Sequence, residues 1–201
     1  MERGILFVFS GPSGTGKGTV LKEVFKTVEN LHYSVSATTR APRNGEVHGV
    51  NYYFIDDAEF DRMIASGEML EYVEKFTNRY GTPKKAVEEM LEKGEDVILE
   101  IETIGAENVR RQMPECVSIF IAPPSLKELW FRLTGRNTDD ENIEKLRFET
   151  SKVELMCAYN YDYIVVNDTV AHCAEQVLGI IEAERCKVSR NRKVIENILY
   201  N

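Results

Sequence analysis

The segment Gly11-Pro12-Ser13-Gly14-Thr15-Gly16-Lys17-Gly18-Thr19 lies between an apolar run, Ile5-Leu6-Phe7-Val8, and a helical pattern carried by Val20, Leu21, Val24 and Phe25. Strand, tight loop and helix follow. Glycines let the backbone turn so that successive N–H groups and the positive end of the helix point at one place, where Lys17 adds a full charge. The spacing from Gly11 to Gly16-Lys17 fits a phosphate loop, and the strand before it and helix after it are the context that pattern requires. A polyphosphate held by residues 11–19 is the expected ligand. The bland alternative, a glycine-rich hairpin, gives no reason for a lysine closing the turn. One position departs from the pattern: the residue after the lysine, expected to be Ser or Thr, is Gly18, with Thr19 following. Either Thr19 reaches a Mg²⁺ ion from one residue further on, or phosphate oxygens and water hold the metal.

A chain of 201 residues with 43% hydrophobic content can bury one good core with small inserted lobes. No apolar run approaches the roughly 20 residues that span a bilayer, and Glu2-Arg3 before a short strand is no secretory signal, so a cytoplasmic protein without membrane contact is expected. The four cysteines, Cys116, Cys157, Cys173 and Cys186, form no Cys-x-x-Cys pair and read as reduced thiols. A net charge of −8 opposes general affinity for nucleic acid. An anionic ligand must therefore be small and locally gripped. The three histidines, His32, His48 and His172, stand in unrelated contexts and none is expected to serve as a base.

The first helix is expected to end near Asn30, and Tyr33-Ser34-Val35-Ser36 alternates like a strand. On the polar loop that follows, Arg40 and Arg43 are spaced to converge on one anion. Asn51–Ile55 reads as a strand, Asp56-Asp57-Ala58-Glu59 as a capping box closed at Gly67, and Met69–Phe76 as a strand paired with Arg79–Thr82. Thr82 as N-cap and Pro83 at the first helical position open a helix ending before Gly94. The run Asp96–Glu102 is a buried strand ending in Glu100 and Glu102; carboxyl ends of parallel strands face the ligand crevice. Val117–Ile121 is a further strand, Ser125 caps a helix, and Gly135-Arg136-Asn137 separates it from a second helix running to about Ala158. Arg132, Arg136 and Arg147 gather around that break, as on a hinged lid. Tyr163–Val166 and a helix through Ile181 complete an α/β chain, a parallel sheet covered by helices on both faces, before a basic tail helix.

Taken together, Ser10–Lys17, Ser36–Arg43, Gly45-Glu46-Val47-His48-Gly49, Tyr80-Gly81-Thr82, Ile121–Ser125 and Ile164–Asp168 resemble the guanylate kinases of bacteria from Gly4 to about Arg190. The order Gly-Lys-Gly-Thr is also similar to that of adenylate-type kinases. The resemblance implies a P-loop core (residues 1–33, 83–124 and 158–190), a small β-rich GMP-binding lobe (34–82), a helical lid (125–157) and a tail (191–201). It also implies transfer of the ATP γ-phosphoryl to GMP, with dGMP an expected second acceptor, in the presence of Mg²⁺, ATP being held by residues 11–19 and Asn167. Ser36, Arg40, Arg43, Tyr52 and Tyr80 would grip the acceptor phosphate, and Glu71, Thr82 and Glu100 would read guanine. Lys17, Arg40, Arg132, Arg136 and Arg147 would serve the transfer itself. Three departures stand out: Gly18 for Ser, Glu100 and Glu102 where Asp is common, and Asn137 where glycine usually follows the lid arginine.

The chemistry agrees independently. A phosphate monoester, with a second pKa of about 6, is mostly deprotonated at pH 7 and needs cations and alignment more than a base. Guanine presents N–H donors at N1 and N2 that one carboxylate can accept, whereas adenine N1 is an acceptor that a carboxylate repels. Two alternatives are weighed: a peptide-binding module of the same fold, which would have lost the phosphate loop, and a monophosphate kinase of other or broad base preference. Homo-oligomerisation stays open.

Overall fold

The computed structural model describes residues 2–75, 77–135 and 141–200. Its strands are β1 (Leu6–Ser10), β2 (Leu31–Tyr33), β3 (Ala37–Thr38), β4 (Tyr53–Phe54), β5 (Met69–Lys75), β6 (Asn78–Pro83), β7 (Asp96–Glu100), β8 (Val117–Ala122) and β9 (Tyr163–Val166). The helices are α1 (Lys17–Val24), α2 (Asp57–Ala65), α3 (Lys84–Glu92), α4 (Thr103–Gln112), α5 (Leu126–Thr134), α6 (Glu141–Met156), α7 (Val170–Arg185) and α8 (Arg192–Tyr200). Two compact units emerge, Arg3–Ser10 with Asn30–Ser118 and Gly11–Glu29 with Ile119–Asn201. The expected lobe falls within the first and the expected lid within the second.

In the first unit, β2, β7 and β1 lie side by side in parallel, with Leu31 opposite Asp96 and Leu6 opposite Val97. Phe7, Val8, Val97 and Ile98 are completely buried, as a parallel sheet flanked by helices on its faces demands. Helices α3 and α4 do the flanking, on β7 and β1 respectively. A second sheet has the order β4-β3-β6-β5. Its hairpin β5–β6 is antiparallel, and the register slips between Met69 and Glu71. The slip is a bulge, and it buries Met69, Leu70 and Glu71 consecutively where simple alternation would expose one of them. The Leu70 carbonyl accepts a bond from Gln112 Nε2 at 2.6 Å.

In the second unit, β8 and β9 pair in parallel, with Phe120 opposite Ile164. Helix α7 packs on α1 and β9, and α5 packs on α6. Glu184, fully buried on α7, accepts the Tyr163 hydroxyl at 2.6 Å and pairs with Lys187 at 2.6 Å. Helix α8 buries none of its residues.

Several expected boundaries shift. Helix α1 stops at Val24, because residues 25–27 continue only as turns and Asn30 adopts a left-handed φ of 58°. The alternating stretch after it is divided: β2 ends at Tyr33 and β3 starts at Ala37, in a different sheet. Thr82 is a strand residue and Pro83 is the N-cap of α3. Helix α4, which the apolar pattern did not suggest, buries Thr103, Gly105, Ala106 and Val109, a face too small-sided to register as hydrophobic periodicity. The expected caps at Asp56 and Ser125 hold: Asp56 accepts from Glu59 N at 2.8 Å and Ser125 from Glu128 N at 3.1 Å. Among the described residues there is no helix long and apolar enough to cross a membrane. Cys116 and Cys173 are buried, Cys157 half-buried and Cys186 exposed.

The lobe has its own core. Phe60 packs fully buried with Ala37, Met69, Tyr53, Ile55, Met63 and Ile64, and the Arg79 guanidinium lies 4.4 Å over its ring. Truncating it leaves a cavity that backbone from three strands and α2 cannot fill. Phe60→Ala is expected to cost about 3–5 kcal/mol in urea unfolding; a loss under about 1 kcal/mol would contradict this packing.

Candidate active site

The phosphate loop belongs to the second unit from Gly11 onward. Gly16, the N-cap of α1, has φ 85° and ψ 22°, and a Cβ there would lie 2.7 Å from Asn167 Nδ2. Gly11 approaches closer still, since a Cβ would meet the Ile121 carbonyl oxygen at 2.3 Å. Neither position accepts a side chain. Thr15 Oγ1 donates to the Pro12 carbonyl at 2.9 Å, and Asn167 Nδ2 donates to the Thr15 carbonyl at 2.7 Å, so the loop is tied at its middle. Pro12 is buried, and Ser13 and Gly14 are half-buried.

Lys17, the first residue of α1, donates from Nζ to the carbonyls of Gly11 at 2.6 Å and Pro12 at 3.0 Å. Its charge therefore sits inside the loop, beside the positive end of α1. Arg132 on α5 donates to the Asn167 carbonyl at 3.1 Å and to Glu128 at 2.8 Å, which brings it to the strand end that holds the loop. Arg147 is half-buried on α6. Arg136 and Asn137 lie outside the described residues. Thr19 is exposed in the first turn of α1, and Gly18 offers no side chain for a metal. Among the described residues no group of three His, Cys, Asp or Glu side chains could hold a metal ion. These donors fit a metal carried by phosphates and water better than a protein-built cage.

The other candidate residues lie in the first unit, in two adjoining groups. In one, the Arg40 guanidinium stands 5.5 Å from the Tyr52 ring, the Tyr52 and Tyr80 rings are 6.1 Å apart, and Arg40 interacts with the Tyr80 hydroxyl. Glu46 orients Arg40, accepting from one of its nitrogens at 2.9 and 3.0 Å, and also accepts from Arg43 N at 2.7 Å. The Arg43 amide and the Arg40 guanidinium hold the Glu46 carboxyl below the usual carboxylate range. Arg43 itself is exposed, and Ser36 is half-buried with its carbonyl accepting from Tyr53 N at 2.8 Å. Burial raises the Tyr52 phenol above its ordinary pKa, and Tyr80 adds to the rise.

In the other, Thr82 Oγ1 donates to Glu71 Oε1 at 2.7 Å, and Glu71 is only 5% exposed. Burial pushes its carboxyl up to about 7; the Thr82 hydroxyl opposes the rise and the charge of Glu102 adds to it. The carboxylate whose charge reaches Glu71 is thus Glu102, whereas Glu100 accepts from the Tyr33 hydroxyl at 3.2 Å. Sequence reading singled out neither Glu46 nor Tyr33 for a role, and named Glu102 only as a strand-end carboxylate. An acid three residues beyond the second of two loop arginines was the available signal for Glu46. The proximity of Glu102 to Glu71 depends on the bulge and on α4 and has no local signature.

A glycine loop that follows a buried strand, caps a helix and encloses its lysine defines a nucleotide-binding P-loop protein. A family model for guanylate kinase matches residues 3–184. The chain is 49% identical over 195 residues to the guanylate kinase of Clostridioides difficile strain 630, covering 97% of this chain and 95% of that one. It is 52% identical over 190 residues to the guanylate kinase of Streptococcus pneumoniae strain R6, covering 94% and 91%. Among solved structures, it is similar to the crystal structure of guanylate kinase from Anaplasma phagocytophilum with TM-score 0.79 and 35% identity, over 97% and 95% of the two chains. The chain belongs to the guanylate kinase family.

Glu71 gives this site a measurable signature. Its folded pKa, about 7, lies above the ordinary 4.5, so the folded state holds the proton more tightly than the unfolded chain. Stability from this group is full below pH 4.5, is lost as pH rises to about 7, and stays lost above it. Glu71→Gln removes that slope. Its stability relative to the parent chain should rise across the same window, by up to about 3 kcal/mol, and then level off. A pH-independent difference in urea unfolding would contradict the burial of the carboxyl.

Proposed function

We propose that the chain transfers the γ-phosphoryl group of ATP to GMP, giving ADP and GDP, with the phosphate loop as donor site and the first unit as acceptor site. The observation that carries this reading is the enclosure of the Lys17 ammonium by a loop whose N–H groups and helix end all favour phosphate. On this reading residues 11–19 and Asn167 hold ATP. Ser36, Arg40, Arg43, Tyr52 and Tyr80 grip the GMP phosphate. Guanine N1–H and N2–H donate to Glu71, which Thr82 orients, with Glu100 and Glu102 closing the strand end beside it.

An oxygen of the GMP phosphate attacks the γ-phosphorus, a new P–O bond forms, and the bond to the β–γ bridging oxygen breaks with its electrons leaving on ADP. No strong base is needed, because the attacking oxygen is already mostly deprotonated. Lys17, Arg40, Arg132, Arg136 and Arg147 would stabilise the charge spread over the transferring group. Mg²⁺ arriving with ATP would add charge neutralisation at the β- and γ-oxygens, with Thr19 the available hydroxyl and phosphate and water the other ligands. ATP and GMP as substrates support work in the cytoplasm.

Lys17→Ala separates the two sites. Turnover with ATP and GMP should fall at least about a hundredfold, since a donor aimed at developing charge contributes on that order, while GMP titration of the folded variant should stay within about twofold. Parental turnover in the variant would refute the mechanism.

A further inference from the structure

Gly105 occupies the third position of α4 and is buried. A Cβ built on it would lie 2.4 Å from Glu71 Oε2, 3.1 Å from Cδ and 3.7 Å from Cγ, and these are the three nearest atoms outside its own helix backbone. The Glu71 carboxyl therefore rests directly against the glycine. The backbone at Gly105 is helical and tolerates any L residue, and alanine is the better helix former by about 1 kcal/mol. Conformational freedom is thus no reason for a glycine here, and space for Glu71 is. The other carboxyl oxygen is already fixed, by the Thr82 hydroxyl.

We propose that Gly105 is a positioning residue for base recognition: by presenting no side chain, it lets Glu71 lie against the first turn of α4 with its two oxygens held in one orientation. The inference rests on the reading of Glu71 as the guanine acceptor. A methyl group at Gly105 must displace the carboxyl, and displacement breaks either the Thr82 bond or the alignment of the acceptor oxygens. The first turn of α4 also favours an anion, so a displaced carboxylate loses that field as well. The anchored acceptor phosphate would be untouched, because Arg40, Tyr52 and Tyr80 belong to the neighbouring group of residues.

The test is the GMP:AMP affinity ratio, by calorimetry, for the parent chain, Glu71→Gln, Gly105→Ala and the double variant. A bidentate base contact discriminates by roughly tenfold or more. Gly105→Ala should lower the ratio by that factor, and should add nothing in the Glu71→Gln background, where the contact is already gone. Glu71→Asp, a methylene shorter, should restore part of the ratio in Gly105→Ala. A lowered ratio in Glu71→Gln with an unchanged one in Gly105→Ala overturns the role of Gly105 alone. An unchanged ratio in Glu71→Gln overturns the reading of Glu71 and this inference with it. If Gly105→Ala does not fold but Gly105→Ala with Glu71→Ala does, the contact with Glu71 is upheld; failure of both assigns the glycine to the backbone and overturns the proposal.

Discussion

A carboxyl held away from water is the constraint around which the first unit is arranged. Glu71 sits on a strand, yet a bulge buries it together with Met69 and Leu70, and a helix of small residues comes close enough to lie against it. One hydroxyl, from Thr82, satisfies one oxygen. Burying a charge with so little compensation is unfavourable, and the carboxyl responds by holding its proton to about pH 7. Such an arrangement weakens the fold near neutral pH. A ligand with two adjacent N–H donors would supply the missing hydrogen bonds, which is the physical sense of the proposed guanine contact.

The phosphate loop solves the opposite problem. Here positive potential is concentrated by backbone geometry and one ammonium, and the surrounding structure keeps it in shape through Asn167, Thr15 and the close passage of the Ile121 carbonyl. The group of Arg40, Tyr52 and Tyr80, proposed as the acceptor site, stands between these extremes: Glu46 pairs with Arg40 and orients it, so on that proposal an arriving phosphate would compete with a carboxylate already in place. Such a competition would favour a dianionic phosphate over a weaker anion.

Much of this was legible in the sequence, and the reason differs from site to site. The phosphate loop is local: strand, glycines, lysine and helix are contiguous, so spacing alone located every residue. The helix starts at Asp56 and Ser125 were legible for the same reason. The lobe was legible only in outline, because a bulge at Leu70 changes which side chains face inward without changing the alternating pattern of residues. Helix α4 escaped because its buried face is Thr103, Gly105, Ala106 and Val109, which carry little hydrophobic signal. The pairing of Glu71 with Glu102 and Gly105 followed from neither pattern, since it joins residues more than thirty positions apart through the bulge and that unread helix.

The claim that guanine is read by the ionised form of a buried, partly protonated carboxyl can be measured as proton release on binding. Calorimetric titration of GMP at pH 7 in two buffers of different ionisation enthalpy gives the number of protons exchanged. With a carboxyl titrating at about 7 in the unliganded chain, the parent protein should release about half a proton more than Glu71→Gln does. Equal proton exchange in the two proteins, or net uptake by the parent, would contradict it.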